Sequence, residues 1–244
     1  MAGHTVRARP PANGSSHVVP LVSDPDIVAA YLEDAAHFPG GHTSGIVTPA
    51  TEADVAAVLK HAQTVLPIGA QSSLTDGATP MGDLLLQTSR FTGVEMISPT
   101  HVRVGAGVTL HELDATLARV GAYYPPAPTF TGATVGGTVA TNAAGAATFK
   151  YGTTRQWVEG LTVVLATGDV LDVRRGEARA HPDGYFDLDL AGGMVRVPVP
   201  HLAMPAVPKL SAGYYSAPGM DLVDLFIGAE GTLGVVTAAT LRVV

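Results

Sequence analysis

TVGGTVATNAAG, residues 134–145, is the stretch on which the reading of this chain turns. Six of its twelve residues are Gly or Ala, and the rest are mostly Thr and Val. It is too apolar for an exposed linker and too Gly-rich for an ordinary strand. Glycine inside a regular element costs about 0.5–1 kcal/mol relative to alanine, so the bare backbone must serve something. Two further small-residue runs flank it, PIGAQSSLTDG (67–77) and GAEGTLG (228–234). One such turn is punctuation; three in a domain of this size imply a bound cofactor. Successive backbone N–H groups in small-residue loops converge on anions without any net positive charge, so the runs suit a long, flat, diphosphate-bearing ligand.

Composition narrows the class. The 244 residues suffice for one large domain or two small ones. Charged residues are 14 % and apolar residues 46 %, which excludes a disordered or coiled-coil chain. The net charge is -7 and no basic patch occurs, so no nucleic-acid partner is expected. There is no cysteine, which excludes disulfides, thiolate zinc sites and a catalytic thiol. No run reaches the roughly 18 apolar residues of a membrane span. Residues 1–21 lack the apolar core of a secretion signal and read as a flexible N-terminal tail. A cytoplasmic location is the expectation.

The order of elements follows from spacing. Gly45–Thr48 is a short β-branched run, Thr51 and Asp54 have capping-box spacing, and Val55, Val58, Leu59 and Ala62 recur helically. Val65–Ile68 is a second strand, giving β–α–β with parallel strands. DLLLQT (83–88) is the next strand. Residues 94–121 read as strand, turn, strand and a helix over 109–119, with Thr109 and Glu112 as a capping box and Gly121 at its end. Residues 121–155 read as a long coil-rich segment. GLTVVLATGDVLDV (160–173) is a hairpin about Thr167-Gly168-Asp169. MVRVPVP (194–200) alternates, but its prolines place it at an edge or a strand end. A short helix, a Gly-rich turn and a long strand close the chain.

Familiar nucleotide motifs are absent. GAGVTL (105–110) has Leu110 where the third glycine of GxGxxG belongs, and a tight turn into a helix is the better reading. No Gly-rich loop ends in Lys followed by Ser or Thr, so P-loop chemistry is out. No metal-ligand pair of histidines occurs. His101, His111, His181 and His201 sit in no recognisable motif and read as surface or hydrogen-bonded residues.

PIGAQSSLTDGATP, the segment from Pro125 to Leu171, and DLFIGAEGTLGVVTAATL occur in this order. Together they closely resemble the FAD-binding domain of the vanillyl-alcohol oxidase/PCMH superfamily, nearest the glycolate oxidase GlcD-type and D-lactate dehydrogenase-type flavoproteins. The resemblance covers about residues 22–244. It implies an α+β fold: a small β–α–β lobe (22–100) and a larger antiparallel-sheet lobe with flanking helices (101–244), with FAD between them.

By that resemblance, Gly69, Ala70, Gln71, Ser72, Ser73 and Leu74 wrap the FAD pyrophosphate; Gln71 stands where glycine is common. Thr134, Val135, Gly136, Gly137, Asn142 and Gly145 line the flavin and phosphates, and side chains at those glycines would stand where the cofactor lies. Pro125 and Pro126 match the proline pair of the family, with Ala127 in place of an acidic residue. Tyr151 and Gly152 match its Tyr-Gly. Glu230, Gly231 and Val236 lie near the adenosine half. Ser72 occupies the position of an attachment histidine and cysteine is missing, so FAD is expected to be non-covalent. No catalytic residue is singled out and no metal is expected. The cap domain that carries substrate groups in the family is not found, so a separate cap polypeptide is a candidate partner. The expected activity is oxidation of a small hydroxy acid or alcohol by hydride transfer to flavin N5. The alternative is a non-catalytic FAD-binding module, a truncated relic or an electron-transfer subunit.

Overall fold

Short apolar runs separated by capping residues assemble into three sheets. The computed structural model describes residues 3–12, 18–126, 128–207, 210 and 213–244. Leu21–Val22 (β2), Ile46–Val47 (β3), Leu84–Gln87 (β5) and Val65–Ile68 (β4) form a four-stranded sheet in that order. The strands β3 and β4 are parallel, as the β–α–β pattern requires, but β5 lies between them and pairs with both. A short turn of helix, Pro25–Val28 (α1), follows β2 with Asp24 as its cap.

Glu52–His61 (α2) connects β3 to β4 and begins with a complete capping box. Thr51 Oγ1 accepts from the Asp54 N–H at 3.1 Å, and Asp54 Oδ2 accepts from the Thr51 N–H at 3.0 Å. Its buried Val55 and Ala56 pack with Val47 and Leu86 against Val164, Val170 and Val235, which joins this sheet to the next.

The five-stranded sheet is antiparallel, in the order Val94–Ser98 (β6), His101–Gly105 (β7), Val235–Arg242 (β12), Val158–Val164 (β8) and Val170–Arg174 (β9). The β8–β9 hairpin turns through Gly168 at φ +84°, as the Thr-Gly-Asp signal requires. Sheet membership changes between Gln87 and Val94: β6, expected with the small lobe, pairs with β7 in this sheet. Leu110–Ala118 (α3) packs Leu113 and Leu117 into the core on this sheet; its box joins Thr109 and Glu112.

Two expectations need correction. Residues 121–155 are not simply coil: Val135–Ala140 (α4) and Thr148–Tyr151 (α5) are helical within them. Propensity argues against a helix at VGGTVA, but tertiary packing overrides it. Val135 and Val139 are core residues, and Thr134 caps the helix by accepting from the Gly137 N–H at 3.3 Å. Nor are the described residues of the N-terminal segment a loose tail. Thr5–Arg7 (β1) pairs in parallel with Tyr185–Leu190 (β10), and β10 pairs antiparallel with Gly193–Pro198 (β11), making a third sheet. Arg9 adds ion pairs to Glu52 at 2.7 Å and to Asp172 at 2.5 Å. Composition carries no sign of pairing between residues so distant in the chain. The short helix Leu222–Phe226 (α6) is fully buried and packs against β8 and β9.

Candidate cofactor site

Three small-residue loops meet in one cleft of about 870 Å³, within the range of about 300–1,000 Å³ usual for ligand sites. The first wall is the loop leaving β4, residues 67–78; the second is 128–144, including α4; the third is 226–236, between α6 and β12. Of the residues singled out in the sequence, Gly69, Ala70, Gln71, Ser72, Ser73, Leu74, Thr134, Gly136, Gly137, Glu230, Gly231 and Val236 all line it. Glu230 is the one charged side chain among the described lining residues. An anion here must therefore be met by amides and hydroxyls.

The first loop has those amides to offer. Among the described residues, the N–H groups of Ala70, Ser72, Ser73 and Leu74 have no hydrogen-bond acceptor in the protein. Gln71 sits in the left-handed region, φ +46°, where glycine would be unstrained. Its side chain compensates: Nε2 donates to the Tyr31 carbonyl at 3.0 Å and to the Ala78 carbonyl at 2.8 Å, while the Gln71 backbone carbonyl accepts from the Ala35 N–H. Gln71 thus braces the loop from behind.

The glycines divide into two kinds. A Cβ on Gly69 would stand 2.2 Å from Thr134 Oγ1, and one on Gly136 would stand 2.8 Å from the Ala106 Cβ. Protein lies against both; for Gly136 this corrects the expectation that a side chain there would stand where the cofactor lies. A Cβ on Gly137 meets nothing nearer than Thr134 Oγ1 at 3.2 Å and otherwise projects into open space. Of these three, Gly137 is the glycine whose bareness serves the cleft.

The other singled-out residues do not line the cleft. Val135 is in the core. Asn142, at φ +46°, donates from Nδ2 to the Leu210 carbonyl at 3.0 Å and accepts at Oδ1 from the Arg155 N–H at 3.0 Å. The Gly145 N–H donates to Thr148 Oγ1. Pro126 is buried, Ala127 lies outside the described residues, and Gly152 takes φ +77° at the end of α5. Tyr151 packs edge-on against Trp157, and its hydroxyl lies 3.1 Å from that of Tyr123. Lys150, then Tyr123, hold its phenol below the ordinary tyrosine range. Sequence reasoning missed Thr88 and the exposed Phe130, both lining the cleft. Phe130 lies inside the motif-bearing segment; Thr88 sits at a strand end with no local signal.

GAGVTL is a packing device. Cβ atoms on Gly105 and Gly107 would stand 2.2 Å from the Phe91 carbonyl oxygen and 2.4 Å from that of Thr88.

The family model described as FAD binding domain matches residues 43–174, more than half of the chain. The chain belongs to the PCMH-type FAD-binding-domain family. Its cofactor is FAD, and the cleft fits that group: small-residue walls, free amides at one loop and an acceptor carboxylate at another. The FAD-binding domain is 35 % identical over 203 residues to a D-lactate dehydrogenase of Archaeoglobus fulgidus, covering 81 % of this chain and 38 % of that one. It is 31 % identical to a D-2-hydroxyglutarate dehydrogenase of Xanthomonas citri pv. viticola, over 81 % of this chain and 36 % of the relative. It is 28 % identical to the glycolate oxidase subunit GlcD of Bacillus subtilis, over 82 % and 36 %. The chain spans little more than a third of the length of these relatives. Among the described residues, no helix is long and apolar enough to cross a membrane and no cluster could hold a metal ion.

Proposed function

We propose that this chain is the flavin-holding part of an oxidoreductase that oxidises a small hydroxy acid or alcohol. FAD, when bound, accepts a hydride at flavin N5. The free amides of Ala70, Ser72, Ser73 and Leu74 hold the pyrophosphate. Gly137 and Thr134 lie under the flavin end, and Glu230, Gly231 and Val236 meet the adenosine half, where the Glu230 carboxylate accepts from hydroxyls. Pro126, Val135, Asn142, Gly145, Tyr151 and Gly152 shape the walls from behind. Ser72 offers no imidazole for attachment, so FAD is held non-covalently. The convergence of the three loops on one cleft carries this reading.

The cleft supplies no obvious substrate groups. Among its described lining residues there is no His, Lys or Arg to hold a carboxylate or take a proton. Such groups come from further polypeptide, in the same protein or a partner. The same observation favours the second reading, a module that binds FAD without turnover.

An absorbance spectrum of the purified chain, repeated on the supernatant after acid precipitation, tests the cofactor assignment. Released flavin supports non-covalent FAD; flavin retained in the pellet overturns it. Anaerobic addition of small 2-hydroxy acids then tests chemistry. Bleaching, alone or with the complementary polypeptide, supports the oxidoreductase; none in either case leaves the binding module.

A further inference from the structure

The third sheet ends on an open edge. In the order β1, β10, β11, the strand β11 has no neighbour beyond it among the described residues. On the other side, Gly3 and Arg9, which flank β1, bridge to Ala178 and Val170. The ladder alternates: the Asp187 N–H donates to the His4 carbonyl and the Asp189 carbonyl accepts from the Ala8 N–H, at either end of β1, and the Val199 N–H donates to the Gly184 carbonyl. By that alternation Val195 and Val197 bond to β10, and Met194 and Arg196 turn their N–H and C=O groups outward. Met194 is 59 % exposed and Val195 45 %.

We propose that this edge is a self-association surface, on which β11 of a second copy pairs antiparallel with β11 about a two-fold axis at Val195. Three features fit a second copy. The register sets Arg196 opposite Met194 of the other chain, so no like charges face each other, and Arg196 keeps its bidentate pair with Asp187. Val195 is the uncovered end of an apolar row through Leu188, which is buried; the axis joins two such rows into one. Pro198 has no N–H and falls opposite Gly192, so it ends the ladder without leaving a donor unpaired. Arg196 and Pro198 are residues of the kind that blunt an open edge; beside them Met194 and Val195 are exposed and apolar.

Sedimentation velocity on the full chain, from low-micromolar to the highest attainable concentration, should show the mass rising reversibly toward two chains. Val195→Lys and Val195→Glu each place like charges across the axis and should weaken association about tenfold or more; mixed in equal amounts they should restore it. Circular dichroism checks that both variants fold. If either does not, Met194→Pro removes an outward N–H and spares the hairpin bonds. A wild-type chain that stays single at every concentration overturns the proposal. So does a dimer untouched by these substitutions, or variants that fail to recover on mixing.

Discussion

Gly136 lies against Ala106: a Cβ on Gly136 would stand 2.8 Å from the Ala106 Cβ and 3.0 Å from its carbonyl oxygen. The Gly136 N–H donates to that same carbonyl at 2.8 Å. Helix α4 is thus seated on the turn after β7, and its exposed side is left to the cleft. Gly136→Ala should therefore cost about 1–3 kcal/mol of stability, read by urea unfolding without flavin. Gly137→Ala should change stability by less than about 1 kcal/mol yet weaken FAD binding, read by flavin fluorescence titration. Equal effects of the two substitutions on both readouts would remove the distinction between a packing glycine and a cleft glycine.

Gln71 holds a strained turn through its side chain. Gln71→Ala keeps the left-handed φ and loses both donors, at an expected cost of about 1–3 kcal/mol. Gln71→Gly also loses the donors but relieves about 1 kcal/mol of backbone strain. The stability order should be wild type, then glycine, then alanine. Alanine more stable than glycine would show that the loop relaxes out of its left-handed conformation.

Asp224 joins two guanidinium groups beneath the third wall of the cleft. It lies 3.1 Å from Arg155 and 3.0 Å from Arg175, with 11 % of its side chain exposed. Arg155 also donates to the Ile227 carbonyl, directly before the turn that lines the cleft. Asp224→Asn leaves two partly buried cations without a counter-charge and should cost up to about 3–5 kcal/mol by chemical unfolding. Adding Arg155→Met should recover part of the loss. A cost near that of an exposed ion pair would show that water reaches this network.

Acid should release the N-terminal strand before the rest of the fold. Burial raises the Glu52 carboxyl, but Arg9 and the Ala12 N–H together pull it further down; Asp172 is likewise raised by burial and lowered more by Arg9 and Thr162. Both folded values therefore lie below the ordinary 4.5 and 3.8. Their contribution is complete above those values and is lost as pH falls through the depressed folded ones. Hydrogen exchange of residues 5–9 should show protection at neutral pH that disappears in acid below that range. Arg9→Ala should abolish it already at neutral pH. Protection that ignores both changes would place the hold on β1 in its ladder alone.

Much of the site was legible because loop chemistry is local. Gly69–Leu74, Gly137 and Glu230–Gly231 announce themselves by small residues between regular runs, and the capping boxes at Thr51 and Thr109 need only a few consecutive residues. The parallel strands, the hairpin through Gly168 and the edge character of β11 follow equally from short-range spacing. What a given small residue faces is not local. Gly136 and Gly137 are adjacent and identical in sequence, yet a Cβ on one would strike Ala106 and a Cβ on the other would enter the cleft, because a helix turns successive residues to different sides. The helix at 135–140 itself defies its propensity and exists because Val135 and Val139 are buried by the sheet. The order β3, β5, β4 and the capture of β1 by β10 were likewise decided only in the folded chain. Pairing between distant segments depends on which apolar faces can be buried together, and no window of the sequence contains that sum.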